Sequence, residues 1–423
     1  MKRSKPAVQA KARNGLVAAL DIGTTKACCL IARAGRGEPT RVVGIGHHAS
    51  QGLRNGTLID LDAAEATIRT TVEAAERMAG DNIRGVVVNV STGAPRSCLV
   101  AHEVPVTGHA IGETDLRRIL DPAGFSESIP DEHDLVHIIP VDYAIDGCRG
   151  VRDPRGMFGQ RLGVNLHLIT ASAGAVRNLV NCVTRCHLQI EGKVVSPYAA
   201  ALGCLVEDET QLGVTLIDMG GGTTSVAVFV DSELIHTDSI RLGGLNVTRD
   251  LARGLSTPMT QAERIKTLYG SCQPSPSDPR QIVEVPPIAD DGATESTHVP
   301  RSMLVGIIRP RMEEIFEMVR ARLQDAGLDR VAGRRVVLTG GASQLPGAPE
   351  LAGQIFDKQV RLGRPRGVDG LPEATAGAAF ATCAGLLRFA ANQAQEGIEP
   401  VYLPAETAPG RFGGIGQWLR ENF

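Results

Sequence analysis

Leu20-Asp21-Ile22-Gly23-Thr24-Thr25-Lys26 and Ile217-Asp218-Met219-Gly220-Gly221-Gly222-Thr223-Thr224 are two versions of one motif. In each, an apolar run (Leu16 to Leu20, Val214 to Ile217) delivers an acid and then glycine. Glycine has no Cβ, so the backbone of such a turn can approach an anion closely. Its amides then face the anion, and the threonine hydroxyls add donors. A carboxylate beside the turn suits the water shell of a magnesium ion, which keeps several of its waters. One copy alone reads equally well as an ordinary β-hairpin. Two copies, each opening its own strand-rich half of the chain, predict a cleft that takes a nucleotide. Asp21 and Asp218 would organise Mg2+ and the phosphates there. Lys26 has two readings, a phosphate contact or an exposed strand lysine.

A third element fits the same pocket. Arg335 to Ser343 reads as a buried strand ending in Gly340-Gly341-Ala342, with Pro346 and a helical stretch from Pro349 to Phe356 behind it. Backbone at such a double glycine can lie flat against a base, although by itself the segment is a routine strand-to-helix turn. Between these elements, Thr260-Gln261-Ala262-Glu263-Arg264-Ile265-Lys266 sets Glu263 and Lys266 on one helical face, within reach of a ribose. Thr260 and Glu263 also form a capping box, and both roles stay open. Gly44-Ile45-Gly46-His47-His48-Ala49 imitates a dinucleotide fingerprint, but Gln51 to Gly56 is turn-like and no helix follows, so that site is dismissed.

Composition bounds the rest. At 423 residues the chain is expected to form roughly two to four domains. With 43% hydrophobic and 22% charged residues it can bury sizeable cores. A net charge of -3 and 3% aromatics argue against nucleic acid as a partner. Nine scattered cysteines suit a reducing cytosol. Cys182, Cys186 and His187 form the only metal-like cluster, which lacks a second ligand pair and reads as core. No apolar stretch approaches the ~18 to 20 residues needed to span a bilayer.

The two ends differ. Residues 1–14 carry Lys2, Arg3, Lys5, Lys11 and Arg13 with no apolar run among them, a flexible basic tail and not a signal peptide. Weak attraction to anionic lipid is its sharper reading. Residues 391–410 hold three prolines and no clear period, and read as a linker. In 411–423, at ~100° per residue, Phe412, Ile415, Trp418, Leu419 and Phe423 fall within an arc of roughly 140°, with Gln417, Arg420 and Glu421 outside it. That amphipathic stripe, with the only tryptophan beside an arginine, suits a lipid headgroup boundary. The alternative is a helix folded back onto the core. Its three glycines weaken helicity in water, so the helix is expected to form on meeting lipid.

Two phosphate hairpins, a Gly-Gly turn and a Glu-x-x-Lys helix, in this order, resemble the superfamily of actin, sugar kinases and heat-shock chaperones. Within it, Leu135-Val136-His137-Ile138-Ile139-Pro140-Val141-Asp142-Tyr143-Ala144-Ile145-Asp146-Gly147, continuing through Asp153 to Leu162, resembles the inserted subdomain of the FtsA family of bacterial cell-division proteins. The resemblance extends from about Leu16 to the terminal stripe. It implies an α/β, actin-like two-lobed ATPase fold with an FtsA-type insert and a C-terminal amphipathic helix. The first lobe would take residues 15–90 and 171–207, and the insert 91–170. The second lobe would take 208–245 and 332–390, and its smaller subdomain 246–331. In that subdomain the spacing from Leu304 to Leu323 is helical after Pro310, and Ser271 to Pro300 suits loops and short edge strands.

The same resemblance implies a function. FtsA-like proteins bind ATP with Mg2+, polymerise on the inner face of the cytoplasmic membrane at the division site, and tether the C-terminal tail of FtsZ, among other division proteins. Arg301 and Arg311 would contact that tail, an ordinary solvated helix face being their alternative. A weak lipid helix gains strength when a filament presents many copies. ATP would then act as a clamp between lobes. The chaperones of the superfamily place a glutamate before the proline of the first connecting helix, where this chain has Val195-Ser196-Pro197. Loss of a general base is worth roughly 10²- to 10⁴-fold in rate, so slow hydrolysis at most is expected. Two other readings share the hairpins. A pilus-assembly actin-like adaptor would lack the terminal helix, and a small-molecule kinase would need a further carboxylate base.

Overall fold

Leu16–Ile22 and Val214–Met219, the strands that deliver the two acids, are the middle strands of two five-stranded sheets. Both are buried almost end to end, as expected for strands flanked on both edges and covered on both faces. The computed structural model describes residues 15–35, 39–288 and 296–396. In the first sheet Leu16–Ile22 turns back antiparallel into Lys26–Arg33, and that strand into Arg41–Ala49. On its other edge it runs parallel to Gly85–Val90, which is parallel to Gln189–Val195. The second sheet repeats this strand for strand. Val214–Met219 turns back into Thr224–Val230 and Glu233–Ile240, and on its other edge lie Arg335–Thr339 and Gln359–Leu362, both parallel. Asp21 pairs with Cys28 and Asp218 with Ser225, so the hairpins have equal reach.

The decoy glycines are packing residues. Gly44 and Gly46 lie within strand Arg41–Ala49, under helix Leu61–Ala79. A Cβ on Gly46 would fall 1.9 Å from the Thr71 carbonyl oxygen, so only glycine lets this helix settle on the sheet. The helix starts at Asp60, whose carboxylate accepts from the amides of Asp62 and Ala63, and stops at Gly80 with φ 71°.

The insert is a four-stranded sheet with its own core. Arg96–Pro105 and His133–Ile145 flank Arg161–Ser172, with Cys148–Val151 at the edge. Leu116, Ile119, Leu162, Leu166 and Leu168 fill the space under helix Glu113–Ile119. Two histidines, His167 buried and His137 partly buried, join it to both lobes. His137 Nε2 accepts from the Val195 amide at 3.1 Å, and its ring meets Tyr198 edge-on. His167 Nδ1 donates to the Leu234 carbonyl at 2.8 Å, and beside it the Thr237 amide donates to Ser97 Oγ at 3.2 Å. Burial pushes His137 down to about 3 and His167 to about 4, so both are neutral near pH 7.

The second lobe's smaller part is three helices, Gly244–Gly254, Met259–Tyr269 and Arg301–Asp325, with a ribbon of Ile282–Val285 and Thr297–Pro300. Three expectations need correction here. Helix Arg301–Asp325 runs through Pro310 and does not wait for it. Leu304, Val305 and Ile308 before the proline are as buried as Met312, Ile315 and Phe316 after it, and that burial outweighs a missing hydrogen bond. Met259–Tyr269 begins after Pro258 with no side-chain cap, so Thr260 and Glu263 do not form a capping box. The last helix, Ala381–Glu396, returns to the first lobe. Its Cys383, Leu386, Leu387 and Ala390 pack with Val17, Ala19, Cys28 and Leu30. The second lobe therefore ends before residue 390, and the linker does not start at 391, because Ala391 is a buried helix residue at 2% exposure.

That helix crosses Ser196–Cys204 at bare backbone. A Cβ on Gly385 would lie 1.6 Å from the Ala199 carbonyl oxygen, and one on Gly203 2.1 Å from that of Ala381. Among the described residues no helix is long and apolar enough to cross a membrane. The basic tail 1–14, the rest of the expected linker and the amphipathic segment 411–423 lie outside the described residues.

Candidate functional site

Between the two sheets lies a cavity of about 480 Å³, within the range of small-molecule sites. The first hairpin contributes Asp21, Gly23, Thr24, Thr25 and Lys26, and the second Asp218, Gly220, Gly221, Gly222 and Thr223. Glu263, Lys266, Gly340, Gly341 and Ala342 close the remaining wall. One expected residue does not take part. Thr224 is fully buried and its Oγ1 donates to the Leu242 carbonyl at 2.9 Å, because it already belongs to the returning strand, paired with Met219 and Ile240.

The glycines of the second hairpin are set by what touches them. A Cβ on Gly221 would come within 2.4 Å of the Thr25 side chain, and one on Gly222 within 2.7 Å of Thr24 Oγ1. The two hairpins thus meet tip to tip, and the cavity opens behind the contact. The start of helix Gly244–Gly254 is fastened to the same turn, with the amides of Gly244 and Leu245 donating to the carbonyls of Gly220 and Gly221 at 2.9 and 2.8 Å. Gly340 has φ +83°, a left-handed conformation natural to glycine, and a Cβ there would fall 2.4 Å from Asp218 Oδ1.

Charge is concentrated at the acids. Burial raises Asp21 to about 6, against the pull of Lys26. Burial and then the charge of Asp21 raise Asp218 to about 7, against a hydroxyl from Thr382 and the charge of Lys26. Two carboxylates, both raised by burial and the second raised further by the charge of the first, form a donor set that a divalent cation would neutralise, and so fit Mg2+. Lys26 is not an exposed strand lysine. Its Nζ donates to the Ala379 carbonyl and lies 3.4 Å from the centre of the Phe380 ring. Glu263 accepts from Thr248 Oγ1 and from Lys266 Nζ at 2.7 Å, and Lys266 also reaches the Gly244 carbonyl at 3.2 Å. The pair therefore buttresses the cavity wall where helices Gly244–Gly254 and Met259–Tyr269 meet.

Other lining residues were not expected. Asn89 acts as a clasp, its Oδ1 accepting from the Ile22 amide at 2.7 Å and its Nδ2 reaching Ser196 Oγ at 3.3 Å. An asparagine inside the valine-rich strand Gly85–Val90 is a visible signal. Thr382, whose Oγ1 donates to Asp218 Oδ2 at 3.2 Å, carries none.

Comparison with known proteins places this geometry. The family model "SHS2 domain inserted in FTSA" matches residues 93–170, and "Cell division protein FtsA" matches 215–385. The cell division protein FtsA of Rhizobium meliloti (strain 1021) is 44% identical, over 97% of this chain and 96% of its own. The chain belongs to the FtsA family. FtsA of Pseudomonas aeruginosa is 34% identical over 96% of this chain and 98% of its own, and FtsA of Escherichia coli (strain K12) 31% over the same shares. Among solved structures, a PilM-PilN type IV pilus biogenesis complex superposes with TM-score 0.63 at 18% identity, covering 90% of this chain and 98% of that one. MreB5 of Spiroplasma citri bound to ADP gives 0.54 at 13%, covering 91% and 98%. At such identities the likeness shows the fold alone, which is the actin-like two-lobed α/β fold with the FtsA insert. This is a cell-division protein of that family.

Within this FtsA-family chain, Ser196 sits where the resemblance puts a glutamate in the chaperones. It is buried, lines the cleft and is held by Asn89. Arg301 and Arg311 are not on an unengaged helix face. Arg301 pairs with the buried Asp278 and donates to the Tyr269 carbonyl, and Arg311 pairs with Asp250 and Glu314.

Proposed function

We propose that this protein is an ATP- and Mg2+-binding adaptor of cell division that polymerises on the inner face of the cytoplasmic membrane at the division site and tethers FtsZ to it. The observation that carries the nucleotide half of this reading is the pair of buried acids, Asp21 and Asp218, facing one cavity from two matched hairpins. When bound, Mg2+ would supply the positive charge that a triphosphate needs beside those carboxylates. The hairpin amides and the hydroxyls of Thr24, Thr25 and Thr223 would hold phosphate, Lys26 would add charge, and Glu263, Lys266 and Gly340 to Ala342 would hold the nucleoside. ATP so placed bridges the lobes and favours one mutual arrangement of them.

Hydrolysis is expected to be slow. The carboxylates lining the cavity are Asp21, Asp218 and Glu263. The first two are committed to the cation, the third is tied to Lys266 and Thr248, and Ser196 is no base. For the membrane half, the stripe Phe412, Ile415, Trp418, Leu419 and Phe423 would bind lipid weakly in one copy and firmly in a filament. For FtsZ, the smaller subdomain offers a groove of about 380 Å³ lined by Pro274, Pro279, Val305 and Arg309, beside the Asp278 that holds Arg301. We assign the FtsZ tail to this face.

Liposome co-sedimentation tests the reading. The protein with Mg-ATP should pellet with anionic vesicles and bring FtsZ tail peptide with it. Trp418→Glu should leave ATP binding intact and lose the pellet. Retained sedimentation would refute the lipid assignment, and single-turnover hydrolysis of many ATP per second would contradict the clamp.

A further inference from the structure

Thr382 stands in the first turn of helix Ala381–Glu396, far in sequence from either hairpin, yet its Oγ1 donates to Asp218 Oδ2 at 3.2 Å. It is 8% exposed and lines the cleft. The other oxygen of the same carboxylate faces the bare backbone of Gly340, where any Cβ would intrude to 2.4 Å. One oxygen is held by a hydroxyl and the other bounded by a turn, so the plane of the carboxylate is fixed. The residues just before Thr382 are gripped from both sides. Ala379 accepts from Lys26 of the first hairpin, and the Ala378 carbonyl accepts from the Gly340 amide and Thr339 Oγ1, each at 3.2 Å. Just after it, Cys383 Sγ donates to the Cys28 carbonyl at 3.4 Å, and the helix runs on across the first sheet to Glu396.

From this geometry we propose that Thr382 is a positioning residue, aiming the Asp218 carboxylate at the cation and carrying the occupancy of the site into the helix that leads to the C-terminal segment. The proposal rests on the Mg-ATP reading above. A hydroxyl donating to a carboxylate is a charge-assisted bond with a preferred direction. A cation that draws on Asp218 therefore also selects a position of the helix turn that holds it, because a ligand shifts a conformation only through contacts that differ between states. Nothing in Thr382 needs to touch nucleotide for this to operate.

The test uses full-length protein, with Thr382→Val, which keeps the shape and removes the donor, and Thr382→Ser, which restores it. Calorimetric titration with ATP is run in Mg2+ and again in EDTA, and amide hydrogen exchange is followed along 381–396 with and without Mg-ATP. The expected result is a loss of roughly 10- to 100-fold in affinity for Mg-ATP in the valine variant, with ATP in EDTA unchanged to within about twofold. The nucleotide-dependent change in exchange along the helix should vanish with it, and serine should restore both. Equal losses with and without Mg2+ would mark a merely structural role and overturn the proposal, as would parent-like binding by the valine variant or failure of serine to rescue. A parent protein that binds no ATP in either buffer overturns the nucleotide reading itself, before any substitution is considered.

Discussion

Asp218 shows how burial raises the proton affinity of an ordinary hairpin acid. Its folded-state proton affinity, like that of Asp21, is raised above that of an unfolded chain. For an acid shifted upward, stability is fullest below the unfolded value near 4 and is lost as pH climbs through the folded values, about 6 for Asp21 and about 7 for Asp218. Without Mg2+, urea unfolding should therefore show the parent weakened at pH 8 relative to Asp218→Asn, by on the order of a few kcal/mol, with the gap closing toward pH 5. Mg-ATP should stabilise the parent and not the variant. An identical pH profile for the two would remove the coupled pair. That the acids, their glycines and Thr24, Thr25 and Thr223 would line one cavity was legible because a tight turn restricts residue type locally. Thr224 was misread for a local reason too: the chain has already entered strand pairing there, and a side chain in that register points into the lobe.

Among the elements, helix Arg301–Asp325 carries a cost that its sequence announces. Pro310 lacks the amide that would bond the carbonyl of Gly306, and it is exposed, so its ring contributes little packing. Pro310→Ala should raise stability by about 1 to 2 kcal/mol, less than the full helix penalty because alanine also frees the unfolded chain. A lower melting temperature would show that the proline shapes the groove beside it. The opposite sign is expected where helices touch through glycine. Gly385→Ala puts a methyl group 1.6 Å from the Ala199 carbonyl oxygen, and must part helices Ser196–Cys204 and Ala381–Glu396 or fail to fold. A loss of roughly 3 kcal/mol or more is expected by chemical denaturation. Helical periodicity found Arg301–Asp325 beyond Pro310 and did not single out Ala381–Glu396. It did not say that the last one belongs to the first lobe, because an apolar face specifies burial and not the partner that provides it.

Across the whole molecule the insert is tied to both lobes by histidines that are neutral in the fold. His137 and His167 have folded-state values pushed below the unfolded one by burial. For a base shifted downward, stability is full above about 6.5 and is lost as pH falls toward the folded values. Amide exchange at Val195 and Thr237, whose N–H groups are held by His137 and by Ser97 beside His167, should accelerate between pH 6.5 and 5 beyond the intrinsic trend. His137→Phe should remove that dependence at Val195 alone. Equal protection across the range would mean that the seam does not depend on the uncharged rings.

Read from residues alone, the chain disclosed its repeat, its cavity-lining glycine turns and its family, because each depends on short-range chemistry that constrains neighbouring positions in sequence. Folding decided the rest. It brought Thr382 to Asp218, gave Lys26 a carbonyl and a ring, supplied Arg301 and Arg311 with internal partners, and returned Ala381–Glu396 to the first lobe. Those contacts join residues that no local rule relates, and only the packing of two sheets around one cavity selects which of them meet.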